Sequence, residues 1–99
     1  MEILFRPEAR AEALEAQAWY EARALGLGLE FARSLDAAVN QAARSPATFA
    51  SIGWGGCRRV LLRKFPFLLI YRAQGTQLLV VAVFHHRRDP VPLAQRIQD

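Results

Sequence analysis

The spacing of apolar residues along the chain changes partway through, and each pattern predicts a different kind of element. Residues 2–6 are short and apolar, with Ile3 and Phe5 on one face, which is typical of a β-strand. In residues 8–25 and again in residues 29–43, apolar residues recur at steps of three and four, which predicts two helices. Because the connection between them is so short, the helices are expected to form an antiparallel hairpin.

The same pattern predicts the ends and the buried faces of the two helices. Pro7 suits the first turn of the first helix, Gly26 and Gly28 suit a left-handed stop after it, and Pro46 ends the second. The buried face of the first helix is predicted to contain Ala11, Leu14, Ala18, Ala22 and Leu25. The buried face of the second is predicted to contain Phe31, Leu35, Ala38, Val39 and Ala42.

The second half of the chain is predicted to form strands. Residues 45–56 are rich in Gly, Ser and Pro and indicate an irregular connection. Three strands are then predicted, with a hairpin turn at residues 73–76 between the last two, at residues 57–64, 67–72 and 77–84. The last two are apolar on both faces, which is typical of interior strands in a sheet that is covered on both sides.

The predicted fold is α+β: a strand, an antiparallel helical hairpin and a three-stranded antiparallel meander, with the helices on one face of the sheet. A single domain over residues 1–99 is expected at this length. The hairpin can cover only one sheet face, so we expect another polypeptide to cover the second. The polar tail, residues 91–99, is interpreted as a segment that can form one helical turn.

Composition and charge narrow the class of protein. With 53% hydrophobic and 22% charged residues the chain has the balance of a folded globule, and no apolar run approaches the roughly 18 residues of a membrane span. We therefore expect a cytoplasmic protein that does not contact membrane. The chain has one cysteine, Cys57, and no zinc-site spacing of Cys and His, so neither a disulfide within the chain nor a metal or other cofactor is expected.

Charge is distributed unevenly along the chain. Residues 1–44 carry five arginines against seven acidic residues, a net charge of −2, whereas residues 45–99 carry eight cations against two acidic residues, a net charge of +6. The second half is therefore where an anionic partner would be attracted.

Candidate functional residues cluster where the last strand ends, in the sequence AVFHHRRDP at residues 82–90. A histidine can act as acid or base near neutral pH, but successive strand residues point to opposite faces, so only one of His85 and His86 is expected to join a given site. Arg88 and Asp89 have a structural alternative, which is to fix the turn before Pro90.

Other candidates lie earlier in the chain. Four cations fall within seven positions, Arg58, Arg59, Arg63 and Lys64, and they indicate either solvated strand residues or a binding surface. Trp54, among glycines, is a candidate exposed aromatic contact, whereas Trp19 and Tyr20 are expected to pack within the helical hairpin.

Four stretches together resemble the RelE/ParE superfamily of bacterial toxins, and the ParE branch most closely. They are WYEARALGLGLEF at 19–31, SPATF at 45–49, CRRVLLRKFPFLLIYR at 57–72 and LLVVAVFHHRRDP at 78–90. Motifs typical of that branch match Arg59, the aromatic-Pro-aromatic corner at 65–67, Ile70-Tyr71, a histidine at 85 or 86, and Arg88-Asp89-Pro90. The resemblance extends from the first strand to Pro90.

The resemblance implies one of two activities. ParE-like members bind DNA gyrase and block replication without catalysis, whereas RelE-like members cut messenger RNA on the ribosome. The C-terminal tyrosine common in RelE-like chains is missing, because the only tyrosines are Tyr20 and Tyr71. This favours gyrase inhibition, with an mRNA-cutting site as the alternative built from Arg72, His85, His86 and Arg87. A degenerate toxin that only binds antitoxin is a third possibility.

The resemblance also implies a cognate antitoxin whose flexible acidic segment wraps the toxin, so we expect a hetero-oligomer. The residues predicted to contact partners are Trp54, Arg58, Arg59, Arg63, Lys64, Arg87 and Arg88. The region after residue 84 is the first candidate for the gyrase contact.

Overall fold

The computed structural model of the protein describes residues 1–98, so Asp99 of the predicted tail lies outside the described part. The elements in chain order are β1 (Glu2–Phe5), α1 (Pro7–Arg23), α2 (Leu27–Arg44), β2 (Arg58–Leu61), β3 (Phe67–Gln74), β4 (Gln77–His85) and α3 (Val91–Gln98). This order confirms the predicted α+β class, the helical hairpin and the meander. The tail is helical as expected, but α3 contains eight residues and is longer than the one turn predicted.

The strands form one four-stranded sheet in the order β1-β4-β3-β2. The strands β2, β3 and β4 pair antiparallel, as predicted, and β1 joins as a parallel edge strand. The pairing of β1 with β4 ends at Phe5 opposite Val80, whereas β4 continues to His85. The last five residues of β4 therefore have no neighbouring strand on the β1 side.

The helical hairpin packs on one face of this sheet. Leu69 and Tyr71 of β3 and Leu78, Val80 and Val83 of β4 face the hairpin and are fully or almost fully buried. Each buried aliphatic side chain of this size stabilises the fold by about 1.5–3 kcal/mol relative to the exposed state. The predicted buried face of α2 is confirmed, since Phe31, Leu35, Ala38, Val39 and Ala42 are all buried.

The predicted buried face of α1 is wrong. Leu14 is 57% exposed and Leu25, just after the helix, is 99% exposed. Ala9 and Ala16 are buried instead, with Ala13 and Tyr20 partly buried against the same core. Alanines occur so often in α1 that two interleaved faces share the helical period, and the pattern alone cannot choose between them.

The helix α3 covers the second face of the sheet. Its Leu93 and Ile97 are 6% and 4% exposed and pack in a second cluster with Ile70, Val81 and Cys57. The prediction that another polypeptide must cover this face is therefore wrong, because the chain's own C-terminal helix buries its centre. Leu93 and Ile97 are four residues apart, so both lie on the same face of α3. Because the helix is short, this spacing occurs only once and does not form a repeating pattern in the sequence.

A β-bulge in β4 distributes its apolar side chains between the clusters on the two faces of the sheet. Val80 pairs with Tyr71 and Ala82 pairs with Ile70, which leaves Val81 as an extra residue. The bulge places Val81 and Ala82 together in the second cluster and returns Val83 to the hairpin face. Both faces of β4 are consequently apolar.

Two glycines near the hairpin turn have different roles. Gly26 adopts φ +86° before α2, in the left-handed region where glycine costs least. Gly28 lies within α2, and a Cβ there would come 2.7 Å from the Gln17 carbonyl oxygen of α1. Gly28 thus allows close packing of the two helices and does not end α1 as predicted. The Glu21 carboxylate accepts hydrogen bonds from the N–H groups of both glycines.

Candidate functional site

A cleft of about 220 Å³ lies between α1 and the part of β4 that extends beyond β1. On α1, Glu12, Ala16 and Trp19 are spaced by four and three residues and so share one helix face, which is directed at this edge of β4. We call this site the α1–β4 cleft; its lining residues are Glu12, Glu15, Ala16, Trp19, Tyr20, Phe67, Val83, His85 and Arg88.

Glu12, which lines the cleft, forms an ion pair that joins α1 to α3. The Arg96 guanidinium donates two parallel hydrogen bonds to the Glu12 carboxylate, at 3.0 and 3.1 Å. Glu12 also accepts from the N–H of Val83, and Arg96 donates to the carbonyl oxygen of Val81. The pair thus provides partners for two backbone groups of β4 beyond the end of β1. The hydrogen bond to Glu12 is the main cause that raises the pKa of Arg96 above its ordinary value.

Aromatic side chains form the floor of the cleft. The Tyr20 ring stacks on Phe31 at 5.4 Å between centroids and contacts Phe65 and Phe67 edge to face. The predicted packing role of Tyr20 is confirmed by these contacts. Trp19 differs from the prediction, because it is 52% exposed and touches the aromatic cluster only through Tyr20. The Arg23 guanidinium lies 4.0 Å from the centre of the Trp19 ring, at cation–π distance.

The two histidines lie side by side at the mouth of the cleft. Their rings stack with centroids 5.3 Å apart, so the prediction that they point to opposite faces is wrong. The strand ends at His85, and strand alternation no longer applies to His86 in the turn that follows. Nδ1 of His86 is 3.0 Å from the carbonyl oxygen of Pro66, and Nδ1 of His85 accepts a hydrogen bond from the Arg87 N–H.

The pKa of His85 is lowered from its ordinary value. Partial burial is the largest cause, followed by the charges of His86, Arg87 and Arg88. A neutral His85 with Nδ1 as acceptor carries its proton on Nε2. At neutral pH, His85 is therefore a neutral polar group at the rim of an apolar cleft.

The residues after the histidines form the predicted turn. The Arg88 N–H donates to the carbonyl oxygen of His85, and the Asp89 carboxylate accepts from the Val91 N–H at 3.0 Å. Asp89 therefore orients the start of α3, as an acidic residue at a helix N-terminus commonly does. The structural role expected of Asp89 is confirmed, while the Arg88 side chain lines the cleft.

The other predicted partner-binding residues lie near β2, at the opposite edge of the sheet from β1. Arg59, Arg63 and Lys64 are exposed and Trp54 is 39% exposed. Arg58 is committed to structure, because its guanidinium donates to the Phe49 carbonyl oxygen at 2.7 Å and holds the loop before β2. The predicted set is thus divided between two distant regions, with only Arg87 and Arg88 near the cleft.

The structure separates Arg72 from the other residues of the alternative nuclease site, His85, His86 and Arg87, which lie together. Arg72 pairs with Leu79 in the sheet, whereas His85 pairs with Phe67, five residues away along β3. At about 3.3 Å per strand residue, these two positions are separated by about 17 Å. The Arg72 guanidinium instead contacts the Gly55 carbonyl oxygen at 3.4 Å.

Both tyrosines are held in packing roles. Tyr71 is fully buried and donates a 2.6 Å hydrogen bond to the Pro46 carbonyl oxygen. Burial is the main cause that raises the pKa of each tyrosine, and for Tyr71 the positive charge of Arg58 opposes the rise. The Tyr71 hydroxyl is therefore committed to the fold, whereas Tyr20 packs in the aromatic cluster and lines the cleft together with His85.

The described side chains and helices also bear on metal binding and on membrane insertion. Within residues 1–98, no group of three or more His, Cys, Asp and Glu side chains is arranged to hold a metal ion. Across the same residues, no helix combines the length and apolar character that crossing a bilayer requires.

The sequence reasoning missed the exposed position of Trp19 and the Glu12–Arg96 pair, and it underestimated the length of α3. Trp19 shares a helix face with Glu12 and Ala16, a spacing of four and three that was visible in the sequence. The partner of Glu12 lies 84 residues away, and nothing in the sequence pattern joins the two.

Comparison with known proteins places this architecture in a defined class. Nine chains of solved structures match the fold. One of them is described as "Chromosomal ParDE TA system from P. aeruginosa", with a TM-score of 0.64 over 86% of this chain and 95% of that chain at 16% identity. The fold is therefore that of a ParE-like toxin.

The sequence family agrees with the fold. Residues 3–90 match the family described as "ParE toxin of type II toxin-antitoxin system, parDE". The chain belongs to this family, and the predicted resemblance is confirmed over nearly the whole chain. A search of curated protein sequences finds no significant match.

Proposed function

We propose that this chain is a toxin that a cognate antitoxin neutralises and that, once free, inhibits DNA gyrase in the cytoplasm and so blocks replication. Membership in the ParE toxin family carries the proposal. The antitoxin is the expected protein partner, and the net charge of +6 on residues 45–99 would attract an acidic segment of it.

Inhibition without catalysis is favoured by the positions of the candidate catalytic groups. Cutting RNA through its 2′-hydroxyl requires a base, an acid and cations around one phosphate. Arg72 lies about 17 Å along the sheet from the position of His85, and both tyrosines are occupied in packing. An inhibitor that acts by binding gyrase requires no such convergence.

The alternative enzyme activity has one supporting observation. The stacked His85 and His86 rings lie next to Arg87 and Arg88, so a potential acid or base adjoins cations that could contact a phosphate. This arrangement is the basis for keeping a ribosome-dependent mRNA interferase as the second candidate. A degenerate toxin that retains only antitoxin binding is the third.

Two assays on one preparation separate these functions. We expect the purified chain to inhibit plasmid supercoiling by gyrase and to leave ribosome-bound messenger RNA intact. The variants His85→Ala and His86→Ala remove the candidate acid or base, so they test whether any messenger RNA cleavage originates in this chain. Messenger RNA cleavage that either variant abolishes would contradict the proposal in favour of the interferase.

Expression in a bacterial host tests the toxin assignment itself. We expect growth arrest on induction, and relief of the arrest when a small reading frame encoded beside this one is expressed with it. A host that grows normally while accumulating the folded chain would support the degenerate toxin and contradict both active toxins.

A further inference from the structure

We propose that the outer edge of β1 pairs antiparallel with the same edge of a second copy of this chain, so that Leu4 faces its own symmetry mate. The inference goes beyond the proposed function and does not depend on it. The open backbone of this edge, the direction of its polar groups and its charges each support the pairing.

The two edges of the sheet differ in how well they are covered. At the β2 edge, the Arg59 N–H donates to the Ala50 carbonyl oxygen, so the loop before β2 covers part of that edge. Among the described residues 1–98, β1 pairs only with β4, and its other side is open. Ile3 and Leu4 in the middle of β1 are 37% and 39% exposed. Natural sheets commonly protect such an edge with lysine, proline or a bulge, because an open apolar edge pairs with other strands.

The hydrogen bonds of β1 fix which of its backbone groups point outward. The N–H groups of Glu2 and Arg6 donate to carbonyl oxygens on the β4 side, at 2.9 and 3.0 Å. Since backbone groups alternate along a strand, those of Ile3 and Phe5 point away from β4. In an antiparallel pair centred on Leu4, Ile3 lies opposite Phe5 of the second copy. These two residues then exchange both of their backbone hydrogen bonds.

The same register pairs opposite charges. It places Glu2 opposite Arg6 of the second copy, and the two-fold symmetry repeats this pair at the other end. Both side chains lie on the α3 face of the sheet, where the Arg6 guanidinium contacts the Arg96 carbonyl oxygen at 3.4 Å. Unlike charges directly opposite each other stabilise a strand pair. A register shifted by two residues would place Glu2 opposite Leu4 and lose both charge pairs, so the charges select one alignment.

The rest of the fold leaves room for the second copy. The helix α1 packs over β4, and in the joined sheet the two β4 strands are about 14 Å apart. Packed helices require about 8–10 Å between their axes, so the two helical hairpins do not collide. Phe5 packs against the hairpin core, and Ile3 of the second copy, which lies opposite, extends that apolar surface.

The short strand makes the expected dimer weak. β1 contains four residues, and interfaces that bury less than about 1,200 Å² are typically transient. We expect sedimentation equilibrium of the purified chain between ~10 µM and ~1 mM to give a dissociation constant of about 0.1 mM. Leu4→Lys sets like charges face to face and should weaken the dimer at least tenfold. Leu61→Lys is the matched control, since Leu61 is 62% exposed on the β2 edge, and it should dimerise like the wild type.

Charge exchange tests the register itself. Glu2→Arg and Arg6→Glu should each weaken self-association, because like charges then oppose each other at both ends of the pair. An equimolar mixture of the two variants should form dimers at least as tightly as the wild type, since every arginine again faces a glutamate. Melting temperatures of both variants confirm that each is folded before mixing.

Amide exchange locates the pairing without any substitution. With a dissociation constant of about 0.1 mM, exchange of the Ile3 and Phe5 N–H groups, followed by NMR, should slow about threefold between ~50 µM and ~1 mM. The N–H of Leu4 faces β4 and should not change.

Several outcomes would overturn the proposal. They are a monomer at every concentration, equal weakening by Leu4→Lys and Leu61→Lys, no gain on mixing the charge variants, and exchange at Ile3 and Phe5 that does not depend on concentration. Protection of these two amides only in the presence of a co-expressed antitoxin would assign the edge to that protein instead. None of these measurements uses gyrase or growth arrest, so the proposed function stands or fails separately.

Discussion

Removing the Glu12 carboxylate should loosen α3 and expose the single cysteine of the chain. Cys57 is fully buried in the cluster that Leu93 and Ile97 of α3 complete. Glu12→Ala leaves Arg96 without its carboxylate partner and the Val83 N–H without an acceptor. The thiol of Cys57 therefore reports on whether α3 stays in place.

The size of the effect follows from the burial of the pair. Breaking a fully buried ion pair costs about 3–5 kcal/mol, but the side chains of Arg96 and Glu12 remain 22% and 17% exposed, so a value of about 2 kcal/mol is expected. Burial of Leu93 and Ile97 still contributes about 3–6 kcal/mol before entropy is subtracted, so α3 opens only transiently. A change of 2 kcal/mol should speed labelling of Cys57 by about 30-fold.

The assay is the rate at which a thiol reagent modifies Cys57 in the native chain at mildly alkaline pH. Burial raises the pKa of this thiol, while the charges of Arg72 and Arg6 partly oppose the rise. Because the labelling rate depends on this pKa, the rate of each variant is compared with that of the wild-type chain at the same pH. Glu15→Ala removes an acidic residue three positions along the same helix that takes no part in the ion pair, and it should label like the wild type. Equal rates in Glu12→Ala and Glu15→Ala would refute the reasoning.

Three other changes test separate features of the fold. Gly55→Ala should destabilise the fold more than Gly53→Ala does. Both glycines have positive φ, but only a Cβ at Gly55 would meet the Ile97 side chain, at 2.7 Å. Thermal unfolding of both variants checks this, and equal decreases in melting temperature would contradict it. Tyr71→Phe should cost about 1 kcal/mol in denaturant unfolding, because it leaves the partly buried Pro46 carbonyl oxygen without its donor. An unchanged midpoint would argue against that hydrogen bond. The pKa of His85 is lowered in the fold, so the unfolded chain binds the proton first as the pH falls. The free energy of unfolding should therefore be full above pH ~6.5 and should decrease below that value. In a comparison of melting temperatures, His85→Gln should reduce this decrease, and an identical pH profile would contradict the prediction.

The pH prediction concerns the charged neighbours of His85 as well as its burial. His86, Arg87 and Arg88 disfavour its protonated form, while Glu12 and Glu15 of α1 line the same cleft. Keeping the measurements at pH values above about 5 limits the contribution of carboxylates, whose ordinary pKa values are about 4.

The parts of the fold that the sequence predicted are those with an unambiguous local pattern. The face of α2 was predicted correctly because Phe31, Leu35 and Val39 contrast with polar neighbours. The face of α1 was not, because its alanines fit two faces and only packing against β4 decides between them. The helix α3 was predicted only as a single turn, because Leu93 and Ile97 form too short a pattern to define a buried face until the sheet face beneath them is known.

The covered second face also changes how the function was inferred. The expectation of a partner rested on a sheet face that the chain could not cover, and α3 covers the centre of that face. The family assignment nevertheless holds, because it rests on residues 3–90 and not on the exposed surface. The α1–β4 cleft depends on where β1 ends relative to β4, a pairing register that the sequence pattern did not predict.

The central claim, that the free chain stops DNA replication and does not cut messenger RNA, is tested most directly in cells. Incorporation of labelled thymidine and labelled methionine can be followed in one culture after the chain is induced. We predict that thymidine incorporation falls first while methionine incorporation continues. A prompt loss of methionine incorporation, with DNA synthesis still running, would contradict the account and identify the ribosome as the target.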